Sequence, residues 1–116
     1  MAQGYVADEF AWLARTPANA GNQALEKAGA SIGDVKRVEV NEAFSSVALN
    51  SLKMLGADPD TANVNGGAVA LGHPIGASGG RIVATMINEL RRDGGGLGLA
   101  AICSGGGQGD ALLLEV

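Results

Sequence analysis

Two apolar runs near the C-terminus, Leu97–Cys103 and Ala111–Val116, are separated only by Ser104–Asp110. A parallel crossover needs about a dozen residues or more, so these strands must pair as an antiparallel hairpin. Leu97–Cys103 is apolar at almost every position, as expected of a strand covered on both faces. Upstream, strand and helix patterns alternate. Val35–Val40 reads as a strand, with Val38, Val40 and Lys36 sharing one face. Phe44, Val47, Ala48, Leu52 and Leu55 recur at helical spacing up to Gly56. Ile82, Val83, Met86, Ile87 and Leu90 form a second such stripe, closed by Gly94–Gly96, with Arg91 and Arg92 where the helix dipole favours cations. Near the start, Thr16 is placed to cap a helix that has Pro17 in its first position and stops at Gly29. Tyr5–Leu13 reads as a strand end or connection, Asp58–Asp60 as a turn, Asn63–Gly66 as a short buried strand, and 67–80 as a long loop. The order predicts one α/β domain over residues 1–116: a layered mixed sheet with helices and a C-terminal antiparallel hairpin.

Composition narrows the function classes. Only 3% of residues are aromatic, so the core must be aliphatic and alanine-rich. Fourteen of the 19 glycines lie between Gly66 and Gly109, which marks loop chemistry concentrated in one half of the chain. The net charge of −4 and the lack of a basic cluster argue against nucleic acid as a partner. A single cysteine, Cys103, excludes an intrachain disulfide and fits a reducing compartment. No apolar run approaches the roughly 20 residues needed to span a bilayer, and the first residues lack the basic and apolar regions of a signal peptide. A soluble, cytoplasmic protein without membrane contact is expected.

Three short segments gather the polar residues at element ends: Asn41–Phe44, Gly72–Gly76 and Cys103–Gly107. Each is read as following a strand, and ligands of open α/β sheets bind beyond the carboxyl ends of strands. His73 can serve as a general base, as a donor to a developing oxyanion or as a metal ligand, or can simply bond a loop carbonyl. A metal is not expected, because there is no second histidine and only one thiol. Cys103 is either a small buried apolar residue or a reactive thiol whose pKa the following glycine amides lower. Asn41 can orient a water, donate to an oxyanion or cap a helix. Phosphate-binding patterns are absent. There is no Walker sequence, and the formal G-x-G at Gly105–Gly107 is followed by a strand where a dinucleotide site needs a helix.

Taken in order, Asn-Glu-Ala-Phe (41–44), Gly-His-Pro-Ile-Gly (72–76) and Cys-Ser-Gly-Gly-Gly (103–107) resemble the C-terminal domain of the thiolases. These are the acetyl-CoA acetyltransferases and 3-ketoacyl-CoA thiolases. The resemblance runs from about Phe10 to Val116 and is strongest over Asn63–Gly79. The related ketoacyl synthases carry threonine where Pro74 stands here. The resemblance implies that His73 activates the nucleophile and helps bind the thioester oxygen, and that Asn41 holds a water in the same oxyanion hole. It implies that Cys103 is the acid/base cysteine and that the Gly105 amide helps form a second oxyanion hole. Ala43 and Phe44 would line the acyl and pantetheine pocket.

The same resemblance implies a missing part. Thiolases acylate a different cysteine, on an N-terminal domain, and the only cysteine here matches the proton-transfer one. The chain is thus expected to be a fragment of a longer protein, the product of a split gene, or a subunit completed by a partner chain. Its substrate would be acyl-CoA, with coenzyme A as a reactant and no further cofactor. The aliphatic stripes Phe44–Leu55 and Ile82–Leu90 would face the other half, so that the isolated chain self-associates, and a homo-oligomer is implied. The alternative is a non-catalytic, thiolase-like scaffold or assembly subunit that binds a partner thiolase chain.

Overall fold

The hairpin demanded by the short connection forms, and it is the middle of the sheet. The computed structural model describes residues 1–116. In it β3 (Leu97–Ser104) pairs antiparallel with β4 (Gln108–Glu115), from Leu97 opposite Glu115 to Ser104 opposite Gln108. β2 (Val35–Val40) lies parallel to β3 on its other side. β1 (Ala2–Ala7) closes the far edge against β4, antiparallel, giving the order β1-β4-β3-β2. The strand end expected near Tyr5 is thus a full strand. A short 3-10 segment, Phe10–Arg15, follows it.

Helices cover both faces. α1 (Thr16–Ala28) and α2 (Ser45–Leu55) pack on one side, where Ala18, Ala20, Ala24, Leu25, Ala48 and Leu55 meet Val38, Val40, Leu99, Ala101, Ala111 and Leu113. α4 (Ser78–Arg92) packs on the other, where Ile82, Met86 and Leu90 meet Ala100 and Leu114. The alternation along β3 supplies both cores, as its unbroken apolar sequence requires. The two helical stripes are therefore covered by the chain's own sheet. The apolar side chains left in solvent are others, including Phe44, Leu49, Val69 and Ile75.

α1 sits close because the contacting residues are small. A Cβ on Gly4 would overlap the Ala20 carbonyl, and one on Gly109 would overlap the Thr16 carbonyl. Helix backbone thus rests on strand backbone. Thr16 takes a different role from the expected cap. It is fully buried, and its hydroxyl lies 2.9 Å from the Leu13 carbonyl and 2.8 Å from that of Gln108. Its side chain therefore ties the helix start to β4, and Arg15 holds the cap position without a side-chain bond. Gly29 and Gly56 end α1 and α2 in left-handed conformation, with φ of 65° and 68°, as their positions predict.

Two further expectations are corrected. A register shift between Val35 and Arg37 makes Lys36 the odd residue of a bulge. Val35, not Lys36, then shares the buried face of Val38 and Val40, while Lys36 donates to the carbonyls of Asp93 and Gly95. Asn63–Gly66 is a turn and not a strand. Only Ala62 bridges to Val38, and the short helix α3 (Ala68–Leu71) interrupts the loop that follows.

Glu39, between Val38 and Val40, faces α4 and is only 3% exposed. Burial pushes its carboxyl up to about 7; the Arg81 cation opposes this, and Glu42 and Glu89 add to it. Its Oε2 has no hydrogen-bond partner. The folded state therefore holds a proton there that the unfolded state, near 4.5, releases. Stability contributed by this group is greatest below 4.5 and falls as pH rises to about 7.

Two outcomes are expected. Glu39→Gln should flatten that fall and raise stability at pH 8 by on the order of 3 kcal/mol, read by urea denaturation at pH 5 and pH 8. Identical pH profiles for the two proteins would reject the buried-carboxyl account. Gly4→Ala should destabilise by about 1–3 kcal/mol or more, because backbone has to move; an unchanged unfolding midpoint would show that α1 does not rest on β1.

Candidate active site

β2 and β3 are parallel, so their carboxyl ends lie on the same edge of the sheet. Asn41 follows β2 directly. Its backbone N–H donates to the Ala101 carbonyl at 2.9 Å, extending the ladder by one bond, and its side chain is fully buried. Cys103 is the penultimate residue of β3. The remaining segment, Gly72–Gly76, does not follow a strand as expected but the short helix α3, so no strand brings it to this edge.

Asn63 provides the attachment. Its Oδ1 accepts from the Val40 N–H at 2.9 Å, and its Nδ2 donates to the Val40 carbonyl at 2.9 Å and to Glu42 Oε1 at 3.0 Å. Its own N–H donates to the Val38 carbonyl at 2.9 Å. One amide side chain thus stands where the expected strand would have paired, and it does so with φ of 47°. Asparagine is among the few residues that tolerate this conformation. Glu42 continues the clasp: its Oε2 accepts from the Val69 N–H at 2.9 Å. Its carboxylate fills the space that a Cβ on Gly67 would take. The loop leading to His73 is thereby fastened to the end of β2.

His73 is anchored by its neighbour on α4. Nδ1 lies 2.6 Å from Ser78 Oγ, and Ser78 is fully buried. The Asn41 Nδ2 lies 3.5 Å from both ring nitrogens, a contact longer than a normal hydrogen bond. Arg81, one turn further along α4, donates from Nη2 to Asn41 Oδ1 at 3.2 Å. Asn41 therefore sits between a cation on one side and the imidazole on the other.

Cys103 is 8% exposed, and burial raises its thiol pKa. The expected lowering by the glycine loop is not what dominates. The loop itself turns on Gly106 and Gly107, with φ of 81° and 78°. Gly105 has neither a positive φ nor any atom close to where a Cβ would stand. The backbone does not require glycine at that position, and its N–H makes no backbone hydrogen bond within the chain.

His73, Cys103, Gly105, Ala43 and Phe44 line one cavity of about 410 Å³, closed by Leu13, Ile75, Ile102 and Ser104. All the sequence candidates but Asn41 share this wall. Asn41 stands behind it and reaches it through His73. Sequence reasoning missed Asn63, Glu42, Ser78 and Arg81. A charge beside an apolar stripe, as at Arg81, and a buried acid within a valine strand, as at Glu39, were the available signals. No three His, Cys, Asp or Glu side chains cluster closely enough to hold a metal ion. No helix is long and apolar enough to cross a membrane.

The family model described as thiolase, C-terminal domain, matches residues 1–116. A probable acetyl-CoA acetyltransferase of Mycobacterium tuberculosis is 51% identical over 114 residues, 98% of this chain and 29% of that protein. The acetyl-CoA acetyltransferase of Shinella zoogloeoides is 54% identical over 99 residues, 85% of this chain and 25% of that protein. Among solved structures, the acetyl-CoA acetyltransferase of Bacillus anthracis superposes with a TM-score of 0.94 at 40% identity, over 98% of this chain and 29% of that one. Human mitochondrial 3-ketoacyl-CoA thiolase, solved in complex with CoA, gives 0.95 at 43% identity, over 99% and 29%. The chain thus spans less than a third of the length of these relatives. Its sequence, its mixed sheet and the whole-length match agree: it belongs to the family of thiolase C-terminal domains.

Proposed function

We propose that this chain is the C-terminal catalytic part of a CoA-dependent thiolase. The reaction would be a reversible Claisen condensation, in which two acyl-CoA molecules give a 3-ketoacyl-CoA and free CoA through an acyl-enzyme. The observation that carries the reading is one cavity lined by an imidazole, a thiol and a glycine whose N–H has no backbone partner. The acylated cysteine would come from the N-terminal segment that the longer relatives possess.

Each group then has a task its chemistry suits. His73 takes the proton of the nucleophilic thiol, which attacks the thioester carbonyl and releases CoA. Cys103 gives its proton to the departing CoA sulfur and, as thiolate, then removes the α-proton of the second acyl-CoA, while the enolate oxygen faces donors from His73 and from Asn41 or a water it holds. The enolate carbon attacks the acyl-enzyme carbonyl, whose oxyanion is met by the Gly105 N–H, and the cysteine leaves as thiolate. In thiolysis the order reverses, and Cys103 returns a proton to the α-carbon. Burial suits both uses: it keeps the thiol protonated as an acid and makes its thiolate a stronger base. Ala43 and Phe44 offer apolar surface to the acyl and pantetheine chain, and Phe44 is 64% exposed.

A second groove supports the incompleteness of the chain. Gly79, Gly80, Ile82, Val83, Ala100, Ile102 and Leu112 border an apolar hollow of about 350 Å³. Glycines within a helix cost about 1 kcal/mol each relative to alanine. Nothing in this chain crowds a Cβ at Gly79 or Gly80. A segment packed closely against the start of α4 accounts for both glycines.

The test joins this chain to the N-terminal part of the Mycobacterium tuberculosis relative and measures thiolysis of acetoacetyl-CoA. Turnover is expected, with His73→Ala lowering kcat by about 10²–10⁴-fold. Unchanged turnover in the variant would remove His73 from the mechanism. If no N-terminal part restores turnover, the chain is a scaffold and not a catalytic half.

A further inference from the structure

Asn41 is useful to an oxyanion only if its NH2 end faces the site. An amide side chain has a donor end and an acceptor end of nearly the same shape, and packing alone distinguishes them poorly. A flipped Asn41, set behind His73, would turn a carbonyl oxygen and not a donor toward the oxyanion side of the ring. Something must therefore select the orientation.

We infer that Arg81 is a positioning residue that locks the polarity of the Asn41 amide, resting on the reading of Asn41 as an oxyanion-side donor. A guanidinium has five donors and no acceptor, so it can meet only the oxygen of an amide. Arg81 Nη2 lies 3.2 Å from Asn41 Oδ1, which turns Nδ2 toward His73. This is the only hydrogen bond of the Arg81 side chain. Its Nε and Nη1 are buried without a partner, so the contact is not one of several interchangeable surface bonds. Asn41 is fully buried, and the flipped state would set NH2 against guanidinium in a place water does not reach. The carrier is also apt. Arg81 and Ser78 are three residues apart on α4, so a single turn of helix holds both the amide and the His73 ring.

The experiment is a double-mutant cycle in the joined full-length protein described above. Arg81→Met should lower kcat by about 10–100-fold with KM changed less than about twofold, as expected for a misdirected group that acts in the transition state. In an Asn41→Ala background the same substitution should have almost no further effect, because there is no amide left to direct. Arg81→Lys, which keeps charge and donors, should recover part of the loss. If Arg81→Met does not fold by circular dichroism, Arg81→Lys closes the same cycle. Asn41→Asp keeps an oxygen for Arg81 but presents no donor, and should be as damaging as Asn41→Ala. Losses from Arg81→Met that multiply with those from Asn41→Ala would overturn the inference, since the arginine would then act on the fold. Full activity in Asn41→Asp would overturn it too, because donor polarity would not matter. Full activity in Asn41→Ala would instead sink the underlying reading of Asn41, and an inactive parent protein would remove both.

Discussion

The site depends on the clasp that Asn63 makes with the end of β2. Strand ends carry unpaired backbone groups, and a catalytic loop fastened only by its own hydrogen bonds would be mobile. Here one side chain meets the N–H and carbonyl of Val40 and passes the connection to Glu42, which holds the Val69 amide. The loop bearing His73 is thereby held to the residues on either side of Asn41. The imidazole and the amide are brought together by a side-chain device and not by a common element. Its charge-bearing member, Glu42, fits only because position 67 has no side chain.

The glycines separate into those the fold needs and those it does not. Gly4 and Gly109 let α1 rest on the sheet, and Gly106 and Gly107 make the hairpin turn. Gly105 and Gly76 satisfy neither need. They have ordinary backbone angles and open space, and both lie in segments that border the cavity or carry His73. A glycine retained without a structural reason forfeits stability, and close approach by a ligand or by another part of the protein is the physical reason that remains.

Much of the architecture was legible because it follows from length and period. A seven-residue connection allows only a hairpin, a strand apolar on both faces demands two covering layers, and two helices ended on glycines where expected. The misreadings share a cause: a side chain or a bulge replaced a backbone interaction. The sequence of Asn63–Gly66 suggests a short buried strand, but a single amide does the pairing with β2. Lys36 was placed by strict alternation, which one extra residue at the bulge breaks. The type of Thr16 and the proline after it suit a cap, yet its hydroxyl joins a strand far along the chain. Among the site residues, His73, Cys103, Gly105, Ala43 and Phe44 were recognisable as segments. Their supports, Ser78 and Arg81, were not, because nothing in a helical stripe reveals which polar residue turns inward.

The charges behind the site explain why those supports are tolerated. Glu39 and Arg81 lie on neighbouring elements, β2 and α4, without a direct ion pair; Glu39 keeps one buried polar atom without a partner and Arg81 two. Such an arrangement is costly for folding, since the guanidinium is only partly compensated and the carboxyl, pushed up to about 7, must lose its proton in a buried place as pH rises. A core built for stability alone would place apolar residues at both positions. The cation is nevertheless directed at the one buried amide in contact with the histidine, and Glu39 does not take that hydrogen bond away from Asn41.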